Sequence, residues 1–199
     1  MLNLLKTLLK PRVKPNWKNN DCRFKNEGGR FFWLLQFGQT TLIESLIPAL
    51  KLRGQRVSVI KHAHQGFDID HEGKDSWRHR EAGAFEVLLV SSQRMVLQRE
   101  FEQQAQLTVH HALADIYNGV DWVLVEGFKE SDLLKIEVWR QATQREPRYM
   151  EDDFIVAIAK DESQLPHETL RPVFDMTDVE SIAQWLMDNE DRFHYREPF

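Results

Sequence analysis

Between Thr40 and Arg53, apolar side chains fall at Leu42, Ile43, Leu46, Ile47, Ala49 and Leu50, the spacing of one buried face of an α-helix. Gly54 follows the run, where a glycine ends a helix by adopting positive φ. Apolar stretches flank the helix, Phe31–Leu35 before it and Val57–Ile60 after it. A strand, a helix and a second strand joined by such short links make a βαβ crossover, which requires a parallel sheet. The rest of the chain continues the theme. Strands are predicted at Glu86–Val90, Met95–Leu97, Val120–Val125, Ile136–Trp139 and Phe154–Ala159. Helices are predicted at Asp75–Ala82 with Asp75 as N-cap, at Leu107–Tyr117, and at Asp178–Asp188 behind a Thr177 or Asp178 cap. The fold class is α/β, a mostly parallel sheet flanked by helices.

The link into the first helix reads Trp33-Leu34-Leu35-Gln36-Phe37-Gly38-Gln39-Thr40. A phosphate-binding loop in this position follows G-x-x-x-x-G-K-[ST], whose backbone N–H groups converge on phosphate at the helix N-terminus. Gly38 and Thr40 match that pattern. Trp33 replaces its first glycine, and Gln39 replaces its lysine. Further on, the strand ending at Val125 runs into Glu126-Gly127. An acid there is either the Mg²⁺-side acid of a P-loop NTPase-like fold or an ordinary strand-end carboxylate.

Composition narrows the partners. Residues 1–25 hold seven Lys and Arg against one acid, leaving 19 basic and 30 acidic residues in the remainder. An acidic body argues against a nucleic-acid partner. No apolar run reaches the ~20 residues of a membrane span, and the cytosol is the simplest compartment. The single Cys22 excludes an intrachain disulfide. Pro11 and Pro15 interrupt the basic first 25 residues, which read as a disordered or non-native extension before a domain at 26–190 and a polar, frayed tail. That extension lacks the apolar core and cleavage site of a secretory signal.

A polar block from Lys61 to Ala84 follows the second strand, at the sheet end where open α/β proteins bind ligands. It contains His62, His64, His71 and His79, whose spacing fits no standard zinc pattern. Asp68, Asp70 and Asp75 are hard oxygen ligands better suited to Mg²⁺. A plain solvated loop is the alternative. Asp161, closing the strand at Ala157–Ala159, is either a reader of guanine N–H groups or a loop residue. No Ser–His–Asp or Cys–His order supports nucleophilic catalysis.

Several blocks together resemble the molybdopterin-guanine dinucleotide biosynthesis adaptor family. They are Thr40-Thr41-Leu42-Ile43-Glu44, Val59-Ile60-Lys61-His62-Ala63-His64, Phe67-Asp68-Ile69-Asp70, Gly73-Lys74-Asp75-Ser76, His79-Arg80-Glu81-Ala82-Gly83-Ala84, Leu124-Val125-Glu126-Gly127-Phe128-Lys129 and Lys135-Ile136-Glu137-Val138. The resemblance implies a homodimer that binds GTP with Mg²⁺, hydrolyses it slowly at most, and assists the molybdopterin guanylyltransferase. By position, Gly38, Gln39, Thr40 and Thr41 would line the phosphates, and Thr40 and Glu126 would serve Mg²⁺. Lys61, His62, Asp68, Asp70 and Lys74 would line the nucleotide or molybdopterin side, and Asp161 the base. A nucleotide-dead scaffold of the same fold is the competing reading. An unrelated small-molecule kinase lacks an acceptor motif.

The genetic code offers an origin for the altered loop. Read one base later, codons for Trp33–Gln39 can encode G-Y-S-N-S-G-K, a complete phosphate loop running into Thr40. The same shift lets Asn26–Phe32 encode M-K-V-V-V-F-F, a start codon and a strand. Residues 26–39 are therefore expected to be an out-of-frame translation.

Overall fold

The computed structural model describes residues 30–31, 40–63, 66–116 and 119–195. Gly38, Gln39, His64, the extension over 1–25 and most of the first predicted strand lie outside the described residues. Within them the order is β1 (Arg30–Phe31), α1 (Thr40–Leu52), β2 (Val57–Lys61), α2 (Asp75–Glu81), β3 (Glu86–Val90), β4 (Met95–Arg99), α3 (Val109–Ala114), β5 (Trp122–Glu126), β6 (Lys135–Trp139), β7 (Ile155–Lys160), β8 (Val173–Asp175), α4 (Val179–Asp188) and β9 (His194–Tyr195). β2 pairs parallel with β5, and β6, β7 and β8 form a second parallel sheet in that order. β3 and β4 make an antiparallel ribbon, and β1 pairs antiparallel with β9.

β5 is the centre of the core. Trp122, Val123, Leu124 and Val125 are all at most 2% exposed. Alternation splits them between two faces. Trp122 and Leu124 join a cluster with Leu42, Leu46 and Leu50 of α1 and Ile182 and Leu186 of α4. Val123 and Val125 join Ile60 with Val109 and Leu113 of α3. The first cluster also takes Ile136 of β6 and Ala157 and Ala159 of β7, so α1 and α4 roof both parallel sheets. Pro48 lies inside α1 on its exposed face, where the Glu44 carbonyl that loses its N–H partner can turn to water.

At the start of β6, Lys135 is 2% exposed. It donates to Asp152 at 2.7 Å and lies 5.4 Å from the Phe154 ring centre. Neighbouring Glu137 accepts from the backbone N–H groups of Arg148 and Tyr149, each at 2.8 Å. Burial still holds its carboxyl above the ordinary range.

Local chemistry explains where boundaries differ from those predicted. α3 begins at Val109 because Thr108 accepts from the His111 N–H while its own N–H donates to His111 Nδ1. Asp75 is the first residue of α2 and not its cap; Lys74 holds that place without a side-chain bond. The stretch from Asn189, read as frayed, instead makes a 3₁₀ turn and β9, and buries Phe193 and Tyr195.

Candidate functional site

The carboxyl ends of β2 and β5 and the first residue of α1 meet at one point. Thr40 Oγ1 donates to Glu126 Oε1 at 3.2 Å, and Lys61 Nζ lies 3.3 Å from Glu126 Oε2. The register makes this meeting unavoidable, because Lys61 pairs with Glu126 at the last rung of β2 and β5. The His62 N–H then donates to the Glu126 carbonyl at 2.8 Å, carrying the parallel ladder one residue beyond the strands. A hydroxyl and a carboxylate converging at a helix N-terminus suit Mg²⁺, which binds through one or two protein oxygens and takes the rest from phosphate and water. Thr41 is exposed in the same first turn, its carbonyl accepting from Ser45 Oγ at 3.0 Å.

The chain turns sharply after Glu126. Gly127 has φ +95°, and Phe128 has φ 52°, a left-handed conformation that is strained for a residue with a side chain. A Cβ on Gly127 would stand 2.7 Å from the Cβ of His62. This close approach brings the His62 and Phe128 rings into a stack, with centres 4.3 Å apart and planes 16° from parallel. The loop that follows is tied down by His110. Its Nε2 is 2.9 Å from Asp132, and its Nδ1 is 2.7 Å from the hydroxyl of Tyr195 in β9.

Asp68 and Asp70 gather instead around Arg80 of α2. Arg80 meets Asp68 at 3.3 Å, Asp70 at 3.3 Å and Glu100 at 3.0 Å. Asp70 also accepts from Ser76 Oγ and the His71 N–H. Burial opposes ionisation of Asp70, but the Ser76, His71 and Arg80 contacts outweigh it and lower its pKa. The Asp70 N–H, with Arg80, likewise lowers that of Asp68. The Arg80 Nε to Asp70 Oδ2 contact is buried and poorly aligned, a charge contact rather than a hydrogen bond. Lys74 is exposed at the start of α2. Asp161 closes β7, in the other parallel sheet, and accepts from the Ser163 N–H at 3.1 Å. Among the described residues no group of three or more His, Cys, Asp or Glu could hold a metal ion.

The chain has counterparts among known proteins. The family model for molybdopterin guanine dinucleotide synthesis protein B matches residues 34–161. The chain belongs to that family. A molybdopterin-guanine dinucleotide biosynthesis adapter protein from Haemophilus influenzae is 38% identical over 159 residues, 79% of this chain and 85% of that one. Its counterpart from Escherichia coli is 35% identical over 153 residues, 76% and 86% of the two chains. A crystal structure of molybdopterin-guanine biosynthesis protein B superimposes with a TM-score of 0.60 at 22% identity, over 79% of this chain and 98% of that one. A homologue from Bacillus stearothermophilus gives 0.58 at 22% identity, over 81% and 98%. The fold is the P-loop NTPase-like α/β fold of these proteins.

The structure brings together Thr40, Lys61, His62 and Glu126, which the sequence singles out, and adds Phe128 beside His62 and Arg80 beside Asp68 and Asp70. Both added residues stand in the family blocks without an assigned role. A glycine and an aromatic directly after the strand-end acid were the available signal for Phe128. Nothing in the sequence links His110 to Tyr195 or Asp132, and the first of these contacts depends on β9 folding back.

Proposed function

We propose that this adapter-family protein binds GTP with Mg²⁺ and assists the guanylyltransferase that builds molybdopterin guanine dinucleotide. The Thr40–Glu126 pair carries the reading. In this reading Gly38, Thr40 and Thr41 face the phosphates, Thr40 and Glu126 hold Mg²⁺, and Asp161 meets the base. Bound Mg²⁺ would supply positive charge to the phosphate oxygens. Lys61 adds a second cation beside the Glu126 carboxylate. Asp68, Asp70 and Lys74 act through the fastened loop before α2. Gln39, where such loops carry lysine, favours the scaffold reading for the chain as written.

Calorimetry separates the two in a chain carrying G-Y-S-N-S-G-K at 33–39. Thr40→Val and Glu126→Gln are each expected to weaken GTP binding about tenfold in Mg²⁺ and little in EDTA. Equal affinity in all three proteins would remove the reading.

The proposed homodimer has a candidate surface in the β3–β4 ribbon. Leu88, Val90, Met95 and Leu97 are exposed there, more apolar area than a lone two-stranded ribbon supports. Sedimentation equilibrium is expected to show a dimer that Leu88→Lys with Leu97→Lys splits; a dimer unaffected by both changes would move the interface elsewhere.

A further inference from the structure

We infer that Arg80 is a positioning residue divided between two parts of the protein, the loop that carries Lys74 and the root of the β3–β4 ribbon. Its hold on the loop tightens when the ribbon lets go. The inference rests on the nucleotide reading above, in which that loop borders the ligand, and adds to it a link to the ribbon.

The loop is fastened on both sides of Lys74. Before it, the Asp70 N–H donates to Asp68 Oδ1 and the His71 N–H to Asp70 Oδ1, each at 2.9 Å. After it, Ser76 Oγ donates to Asp70 Oδ1 at 2.8 Å. The Lys74 N–H itself closes onto the His71 carbonyl at 3.2 Å. Asp70, with its side chain 9% exposed, therefore joins the two fastenings, and Arg80 supplies its counter-charge.

That one cation serves three carboxylates, and the ribbon takes the best bond. Arg80 Nη1 donates to Glu100 Oε1 at 3.0 Å. Its Nη2 reaches the two oxygens of Asp68 at only 3.3 and 3.4 Å. Its Nε faces Asp70 Oδ2 at 3.3 Å, yet neither of these buried atoms has an aligned hydrogen bond. A guanidinium is a rigid planar fork that bonds a carboxylate best through two parallel N–H groups, at about 2.7–2.9 Å. With one arm on Glu100, the plane of the fork misses Asp70. Asp70 is too buried to turn to water, whereas Glu100, 54% exposed, is free to do so. Release of Glu100 also removes one of three like charges gathered on a single cation. Both effects turn the guanidinium toward Asp70.

The ribbon decides where Glu100 stands. The Glu100 N–H donates to the Phe85 carbonyl at 2.9 Å, one pair beyond the β3–β4 ladder. Its neighbour Arg99 bonds Glu86 across the ribbon at 2.8 Å and Asp115, the cap of α3, at 2.9 Å. Successive residues thus tie the ribbon root to α3 and to the loop. A contact that shifts the ribbon reaches Lys74 through Arg80.

Hydrogen exchange at the Asp70 and His71 amides of the full chain tests this. Glu100→Gln is expected to slow both about threefold, the scale of one partly exposed ion pair. Glu86→Gln removes a charge from the same ribbon but touches Arg99, and should leave both amides unchanged. Faster exchange in Glu100→Gln would make Glu100 a plain brace of the loop and overturn the proposal, as would no change. Equal slowing in Glu86→Gln would trace the effect to the ribbon's net charge and overturn it too. Calorimetry of the loop-restored chain is the second readout. A loop held more firmly leaves less ordering for the ligand to do, so GTP with Mg²⁺ should bind about twofold to threefold tighter in Glu100→Gln. Slowed exchange with GTP bound equally by parent and variant would overturn the link to the site. Slowed exchange in a protein blind to GTP would support the divided Arg80 and remove the nucleotide reading alone.

Discussion

Replacing residues 33–39 with G-Y-S-N-S-G-K is expected to raise affinity for GTP with Mg²⁺ about a hundredfold. Two effects combine. The lysine adds charge-assisted hydrogen bonds to phosphate, worth roughly 1.5–3 kcal/mol, that the neutral Gln39 amide cannot supply. The first glycine lets the backbone approach phosphate, where a Trp33 side chain would obstruct it. Each 1.4 kcal/mol is a factor of ten, so Gln39→Lys alone should recover about tenfold and the full loop the rest. Calorimetry of the three chains reads the series directly. Micromolar GTP affinity in the chain as written would show that no repair was needed. The coding DNA gives an independent check, since its shifted frame across Asn26–Gln39 must read as a start codon, a strand and a glycine-rich loop.

Gly127→Ala is expected to cost about 3 kcal/mol of stability. The new methyl meets the His62 Cβ at 2.7 Å, in backbone continuing from β2 that has no room to withdraw. Positive φ adds strain of its own, and Gly54→Ala isolates that part. Gly54 has φ +80°, and a methyl added there would meet nothing within 4 Å, so its loss should be about 1 kcal/mol. Urea denaturation of both variants measures the difference. Equal destabilisation would mean that the His62 contact yields and that the stacked rings are not rigidly held.

How much of this was legible without coordinates depends on the range of each interaction. α1, β2, β5, β6, β7 and α4 were readable because each carries an apolar period, with boundary signals such as Gly54 after α1 and the Asp178 cap before α4. β8 was not, since three residues of mixed exposure have no period to detect. Thr40 and Glu126 stand out in the sequence by motif, although nothing there fixes their 3.2 Å approach. The Arg80 hub and the His62–Phe128 stack are products of loop conformation, which local composition does not encode.

The roof of α1 and α4 has a consequence for dissecting this protein. Leu46 and Ile182 contribute to one cluster that also takes Leu124 from the first sheet and Ala157 from the second. Each sheet also has a smaller cluster of its own, Ile60, Val123 and Val125 with α3 in the first and Trp139, Tyr149, Ile155 and Ile158 in the second, but neither contains the α1–α4 contact. Fragments that keep only one sheet would expose half of a shared apolar surface, so the two sheets are expected to unfold together. The folding unit reaches past α4 to Phe193, which is buried in that shared cluster.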